Sequence, residues 1–139
     1  KGIGGGLPLA GIMAGAKTEN VLTPGTHAPA FGGNPICCAA GLSVLEQLDD
    51  ALLADVKKKG AYLKEKISAM PGVKEVRGMG LMLGVQVKGE RTNKELAAKL
   101  IQSGLLVLTA GPGLRLLPPL VITQEEMDKG LAIMKAALS

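Results

Sequence analysis

The chain has 139 residues, the length of one ordinary domain, and 47% of them are hydrophobic, so it can bury an apolar core. With only one Tyr and one Phe, that core must consist of aliphatic side chains and methionine, and base-stacking surfaces for single-stranded nucleic acid are nearly absent. The net charge of +4 comes from dispersed lysines, and no apolar run reaches the roughly 20 residues that span a membrane. We therefore predict neither a nucleic-acid nor a membrane partner.

The two cysteines, Cys37 and Cys38, are adjacent in the sequence. Neighbouring cysteines do not readily meet disulfide geometry, and no third thiol is available. We interpret both as small buried hydrophobic residues of a cytoplasmic protein, in a reducing compartment. Because the chain starts at a lysine rather than a methionine, we expect it to be part of a longer protein.

In the first third of the chain, a short apolar run and a long loop precede a helix. Residues 7–14 are predicted to form a buried strand, and residues 15–33, which lack a sustained period, a functional loop. Asn34 followed by Pro35 is typical of a helix start, since asparagine caps the first turn and proline suits its first position. The apolar stripe of this helix is predicted to consist of Ala40, Val44 and Leu48.

Residues 50–69 are predicted to form an amphipathic helix, which ends before Pro71 and Gly72. Strands are expected at 73–77 and 81–87, joined as a hairpin around Gly78, Met79 and Gly80. The apolar face of the helix is predicted to comprise Leu52, Leu53, Val56, Ala61, Leu63 and Ile67.

The last third of the chain has two capping-box patterns, in which a threonine precedes a helix and a glutamate follows three residues later. Thr92 with Glu95 begins a predicted helix over 93–102, and Thr123 with Glu126 begins the last helix. Short strands are predicted at residues 105–108 and 114–116. From residue 73 onward the order β-β-α-β-β-α therefore indicates a compact α/β unit.

Two glycine-rich stretches raise the question of a nucleotide site, because such loops cradle phosphates with backbone amides. In residues 11–18 only three residues separate the glycines, and Ala16 stands before the lysine. In residues 2–7, Leu7 occupies the place of the third glycine in a dinucleotide-binding turn. The spacing therefore excludes both motifs.

Lys1 precedes Gly-Ile-Gly-Gly-Gly, a backbone that could approach a flat ligand closely because it has few Cβ atoms. Lysine also forms imines with carbonyl compounds where its surroundings activate the amine. The residues alone favour a surface lysine before a flexible loop, and they leave a catalytic lysine open.

Four segments in order resemble the class III pyridoxal-phosphate-dependent aminotransferases, most closely the acetylornithine aminotransferases. They are the lysine segment KGIGGGLPLAG at 1–11, the loop GTHAPAFGGNP at 25–35, the segment VRGMGLMLG at 76–84 and the segment LRLLPPLVIT at 114–123. Any one of these matches is weak, but the ordered set spans essentially the whole chain.

The resemblance implies a role for several residues. Lys1 would form the Schiff base with pyridoxal 5'-phosphate and transfer the substrate's proton, and Arg115 would bind the substrate's α-carboxylate. The cofactor-binding residues implied are Lys1 and Ala30, and the substrate-binding residues are Arg115 and Pro29. His27, the only histidine, is expected to have a structural or capping role, and the resemblance implies no metal site.

One position departs from the family. Ala30 stands where the family usually has a threonine that bonds the cofactor phosphate of the other subunit, and Pro29 before it has no amide hydrogen. Loss of a hydrogen bond to a charged phosphate costs about 1.5–3 kcal/mol. The affinity for the cofactor is therefore in doubt.

The fold class implied is α/β, the C-terminal portion of a fold type I pyridoxal-phosphate-dependent transferase. Residues 1–45 would be the tail of the large cofactor-binding domain with the interdomain helix, and residues 46–139 the small C-terminal domain. The function implied is transamination of N-acetylornithine with 2-oxoglutarate, in arginine biosynthesis, by a homodimer whose active site is shared across the interface. The alternatives are a relative acting on ornithine, succinylornithine or 4-aminobutyrate, and a non-catalytic α/β interaction domain.

Overall fold

The computed structural model describes residues 2–90 and 92–138, which divide into two compact units, Lys1–Asp49 and Asp50–Ser139. The first unit holds a short 3₁₀ turn, Gly2–Gly4, and helix α1, Pro35–Gln47. The elements of the second unit are α2 (Asp50–Ser68), β1 (Val73–Met79), β2 (Met82–Val87), α3 (Asn93–Gln102), β3 (Leu108–Ala110), β4 (Gly113–Leu116) and α4 (Gln124–Leu138).

Helix α1 begins as its sequence predicts. The side-chain oxygen of Asn34 accepts hydrogen bonds from the amides of Ile36 and Cys37, at 3.0 and 3.1 Å. Its inner face is lined by buried Cys37 and Gly41 and by the three half-buried residues of the predicted stripe. A Cβ on Gly41 would lie 2.5 Å from Leu9 Cδ2, so the glycine lets Leu9 lie directly on the helix.

The strand predicted at residues 7–14 is wrong for this structure. These residues form no strand, and Ile12 and Met13 are 85% and 98% exposed. A strand needs a neighbour to satisfy its backbone amides and carbonyls, and the described part of the first unit contains no strand with which to pair.

The second unit is built on a four-stranded antiparallel sheet with the order β1-β2-β4-β3. Helices α2, α3 and α4 bury one face of the sheet, and Leu96 and Leu100 of α3 are completely inaccessible. The predicted sequence of elements from residue 73 onward is confirmed. Because consecutive strand residues point to opposite faces, alternate residues of each strand lie on the second, open face.

The β1–β2 hairpin is confirmed, but its turn lies at Gly80 and Leu81 rather than around Met79, which pairs with Met82. Gly80 has a φ of +56°, a conformation that glycine adopts without cost. A Cβ on Gly60 of α2 would lie 2.2 Å from the Gly80 carbonyl oxygen. This pair of glycines therefore brings the helix into backbone contact with the hairpin turn.

Gly60 also explains why two residues predicted for the buried face of α2 are exposed. Gly60, Leu63 and Ile67 are buried, whereas Leu53 and Ala61 are exposed. The buried face is centred on the glycine that meets the turn, which hydrophobicity alone does not reveal.

Both capping boxes are confirmed. In the first box, the Glu95 carboxylate accepts a hydrogen bond from the Thr92 amide at 2.9 Å, and the Glu95 amide donates to the Thr92 hydroxyl at 3.2 Å. In the second box, the Thr123 amide donates to the Glu126 carboxylate at 2.8 Å, and the Glu126 amide donates to the Thr123 hydroxyl at 3.2 Å. The bonds from the Thr123 amide and hydroxyl lower the pKa of the Glu126 carboxyl.

The strand predicted at residues 105–108 begins only at Leu108. After α3 the chain turns through Gly104, at a φ of +92°, and the Leu105 amide donates to the Leu100 carbonyl at 2.9 Å. The backbone of residue 105 is therefore used to end the helix, and it is not available to a strand ladder.

Candidate cofactor- and substrate-binding residues

The open face of the sheet carries a cross-strand row of four residues, one from each strand. Arg77 of β1 pairs with Gly84 of β2, Gly84 with Arg115 of β4, and Arg115 with Leu108 of β3. Directly paired residues of antiparallel strands share a face, so two guanidinium groups flank one glycine. We call these four residues the arginine row.

Arg77 is held by a carboxylate on its own strand. Its Nε and Nη2 atoms donate to Glu75 Oε1 and Oε2, each at 2.7 Å, in a bidentate pair. The hydrogen bonds with Arg77 lower the pKa of the Glu75 carboxyl, and the same bonds raise the pKa of Arg77. Both side chains are substantially exposed, so the pair adds little to stability but does occupy the guanidinium.

Arg115 differs from Arg77 in having no such partner. Its exposed side chain makes no hydrogen bond or ion pair to any other residue in the described ranges 2–90 and 92–138. A Cβ built on its neighbour Gly84 would meet nothing within 4 Å. The arginine row therefore presents one unpaired guanidinium beside an open stretch of backbone, and a guanidinium fork matches a carboxylate bidentately.

The position of Arg115 is fixed by its short strand and by the turn before it. The Asn93 side chain, at the start of α3, donates to the carbonyls of Gly111 and Gly113, at 2.7 and 3.3 Å. A Cβ on Gly113 would lie 2.4 Å from the Val85 carbonyl oxygen, so β4 approaches β2 more closely there than a side chain allows. These contacts fix the register in which Arg115 stands opposite Gly84.

Pro29 and Ala30 lie together in an exposed turn of the first unit. The Gly32 amide donates to the Pro29 carbonyl at 3.1 Å, and the Asn34 amide to the Phe31 carbonyl at 3.3 Å. The amides of Ala30 and Phe31 donate to no acceptor elsewhere in the described part of the chain. The turn thus offers two backbone donors but, at Ala30, no side-chain donor.

Lys1 lies outside the described residues. The turn that follows it closes through the bond from the Gly5 amide to the Gly2 carbonyl, at 3.2 Å. A Cβ on Gly4 would lie 3.0 Å from Leu9 Cβ, and Gly5 has a φ of +59°. At these two positions glycine therefore serves the turn itself, a reason other than the close approach of a flat ligand that the sequence suggested.

The structure brings together only some of the predicted residues. Pro29 and Ala30 share the turn in the first unit, and Arg115 lies in the second unit. His27 is exposed and makes no hydrogen bond to another described residue, so no contact supports its predicted structural or capping role. Sequence reasoning missed Gly84 and the pair of Glu75 with Arg77, although their spacing of two along one strand was a visible signal.

Within residues 2–90 and 92–138 no cluster of His, Cys, Asp and Glu side chains could hold a metal ion. No helix in this part of the chain is both long enough and apolar enough to cross a membrane. Cys37 and Cys38 are free thiols, the first buried and the second half-buried.

Comparison with known proteins defines the class. The family model for class III aminotransferases matches residues 1–138, so the chain belongs to this family. The α/β fold and the small antiparallel sheet agree with its structural neighbours, which are aminotransferases of fold type I.

Two curated relatives are acetylornithine aminotransferases. The protein of Aquifex aeolicus is 41% identical over 139 residues, which cover 99% of this chain and 36% of the relative. The protein of Caldanaerobacter subterraneus subsp. tengcongensis is 42% identical over 145 residues, which cover 100% of this chain and 36% of the relative. The chain thus spans about a third of the length of the curated relatives that it matches.

Two solved structures are similar to the chain. The acetylornithine aminotransferase of Elizabethkingia anophelis superposes with a TM-score of 0.71 and 31% identity, over 85% of this chain and 33% of that one. The ornithine aminotransferase of Toxoplasma gondii, whose active site holds pyridoxal phosphate at partial occupancy, superposes with a TM-score of 0.70 and 34% identity, over 85% and 30%.

Proposed function

We propose that the protein containing this chain transfers the amino group of N-acetylornithine to 2-oxoglutarate in a pyridoxal-phosphate-dependent reaction of arginine biosynthesis. The names of the relatives support the substrate. The observation that carries the proposal is Arg115, an unpaired guanidinium on the open sheet face beside Gly84. Such a group suits a carboxylate, and both substrates carry one.

The described residues fit the cofactor at its phosphate end only through the backbone. Ala30 and Phe31 are exposed residues, and their amides donate to no acceptor among the described residues, so they can donate to a phosphate. We propose that they hold the cofactor phosphate in the place of the threonine hydroxyl that the family usually supplies. Lys1 would hold the cofactor covalently through its side-chain amine.

The cofactor and the binding residues are proposed to have separate chemical roles. Pyridoxal phosphate, when bound, supplies an electron sink that makes the proton on the substrate's amino carbon removable. We propose that Lys1 Nζ would take this proton and deliver it to the bound cofactor rather than back to the same carbon, since a lysine amine freed from its covalent partner is a competent base. Arg115 would bind the substrate through a carboxylate, and Pro29 would be a second substrate-binding residue.

The larger assembly is also a proposal. Residues 1–45 would belong to the large cofactor-binding domain and residues 46–139 to the small C-terminal domain of a homodimer with a shared active site. The two free thiols support a reducing compartment, and we propose the cytoplasm.

Two alternatives each have a supporting observation. The similarity to an ornithine aminotransferase favours ornithine as the donor, with succinylornithine and 4-aminobutyrate as further candidates. The absence of a side-chain donor at Ala30 favours a non-catalytic interaction domain that has lost the cofactor.

The test is kinetic and uses the whole protein with each of these amino donors and 2-oxoglutarate. We expect N-acetylornithine to have the highest kcat/KM, and Arg115→Gln to lower it about 10- to 100-fold, because a charged hydrogen-bonded pair is lost. The matched control is Lys74→Gln, which removes one positive charge from β1 outside the arginine row. Activity with ornithine alone would establish the first alternative, and no activity with any donor would overturn the proposal.

A further inference from the structure

We propose that Glu75 determines the anion specificity of the open sheet face by occupying Arg77, so that only Arg115 is available to a carboxylate. This inference rests on the proposed role of Arg115 and extends it to the residue that limits the face to one anion. The arginine row holds two guanidinium groups, and the structure pairs one of them bidentately with Glu75.

The geometry explains why this pairing matters. Arg77 and Arg115 are separated by one strand, so their Cα atoms lie roughly 10 Å apart across Gly84. The glycine places no side chain between them, and a Cβ there would meet open space. A dicarboxylate could therefore lie across the row and reach both guanidinium groups if both were free.

Glu75 prevents this in the native sequence. Both carboxylate oxygens are used, and both bonded nitrogens of Arg77 point to them at 2.7 Å. The Glu75 side chain is 42% exposed and that of Arg77 is 69% exposed, so the pair is held by its geometry and by charge rather than by burial. Such an exposed pair adds little to stability, and a single substitution of Glu75 is therefore sufficient to release Arg77 without unfolding the sheet.

The functional consequence concerns the choice between substrates. With Arg77 occupied, a dicarboxylate and a monocarboxylate gain the same single contact with Arg115. With Arg77 released, a dicarboxylate gains a second contact and the monocarboxylate does not. Glu75 is thus a specificity-determining residue that acts through Arg77 and touches no substrate itself.

The experiment observes the arginine side chains directly in the whole protein. The sequence given contributes Arg77, Arg91 and Arg115 to the Nε region of a ¹H–¹⁵N spectrum, and the signals of Arg77 and Arg115 are each assigned by their loss on substitution with lysine. The probes are glutarate, with two carboxylates, and butyrate, with one. The variant is Glu75→Gln, and the control is Glu125→Gln, which makes the same change in net charge on α4.

In the native chain we expect both probes to shift the Arg115 signal and neither to shift that of Arg77. In Glu75→Gln, glutarate should shift both signals and bind about threefold to fivefold more tightly, with no change for butyrate or in the control. The amide shifts of Val76 and Val85, paired in the core face, report that the sheet is intact.

The outcomes separate this inference from the function on which it rests. If Arg77 responds together with Arg115 in the native chain, or stays silent in Glu75→Gln, the role of Glu75 is overturned while that of Arg115 stands. If Arg115 is silent while Arg77 responds in the variant, the proposed carboxylate site at Arg115 is overturned. If neither arginine responds in either chain, both are overturned.

Discussion

Arg115 and Ala30 are two of the residues through which substrate and cofactor are proposed to bind. Arg115 is unpaired among the described residues, and its neighbour Gly84 leaves the adjacent backbone bare. Gly84 has no left-handed backbone conformation, so a side chain can be placed there without strain. The space beside Arg115 can therefore be filled experimentally.

Gly84→Val should reduce binding of the substrate carboxylate while leaving the fold intact. The branched side chain would stand beside the Arg115 guanidinium, and the valine suits a strand. We expect KM to rise about 10-fold, with the free energy of unfolding changed by less than about 0.5 kcal/mol, in steady-state kinetics and urea unfolding. Gly84→Ala, with one methyl group, is the control. An unchanged KM for the valine variant would show that the substrate lies elsewhere.

Ala30→Thr should tighten cofactor binding. The hydroxyl adds a donor for the phosphate at an exposed turn position that currently offers only backbone amides. A hydrogen bond to a charged group is worth about 1.5–3 kcal/mol, so the Kd for pyridoxal phosphate should fall at least 10-fold in equilibrium dialysis. Ala30→Val, which has the same shape without the hydroxyl, should not change it. An equal effect of valine would point to packing instead of the phosphate.

Among the elements, the contact between α2 and the β1–β2 turn depends on paired glycines. A methyl group on Gly60 would overlap the Gly80 carbonyl oxygen, a backbone atom that cannot move aside as a flexible side chain can. Helix α4 contains a second glycine, Gly130, whose added Cβ would lie 3.4 Å from Leu105 Cδ1, an ordinary contact. The two glycines form a matched pair for mutation.

Gly60→Ala should destabilise the protein by about 1–3 kcal/mol, because the clash outweighs the gain of roughly 1 kcal/mol in helix propensity. Gly130→Ala should be neutral or should stabilise the protein by up to about 1 kcal/mol. Urea unfolding followed by circular dichroism measures both. Equal stabilisation by the two substitutions would contradict the close approach of α2 to the turn.

The capping box of α4 should make stability depend on pH. The hydrogen bonds from Thr123 lower the pKa of Glu126 in the folded chain below its ordinary value of 4.5. The stabilisation is therefore complete above that value and is lost as the pH falls through the lower folded pKa. We expect Glu126→Gln to flatten the acid side of the unfolding curve, whereas Glu125→Gln, on the same turn, should flatten it less. If Glu125→Gln flattened the curve more than Glu126→Gln, the pH dependence would come from general charge repulsion and not from the capping box.

These elements also show which features a sequence can predict. Asn34 and the two threonine–glutamate boxes were predicted because a cap depends on residues within one turn. The prediction of a strand at residues 7–14 was wrong because a strand needs a neighbouring strand to pair its backbone groups. Glu75 with Arg77, and Arg77 with Arg115 across Gly84, depend on strand register, which only the folded sheet fixes.

For the whole molecule, family membership rests on a match along residues 1–138, whereas the chain covers about a third of its curated relatives. The resemblance first noted in four segments is confirmed at the level of the class. The roles of Lys1, Pro29, Ala30 and Arg115 remain predictions.

The central claim is that Lys1 carries the cofactor. The most direct measurement is borohydride reduction of the whole protein in the presence of pyridoxal phosphate, followed by proteolysis and mass spectrometry of the lysine peptides. We predict that the cofactor mass is attached to Lys1, in the peptide that continues Gly-Ile-Gly-Gly-Gly-Leu, and that Lys1→Ala loses it. Attachment to another lysine, or to none, would contradict the account.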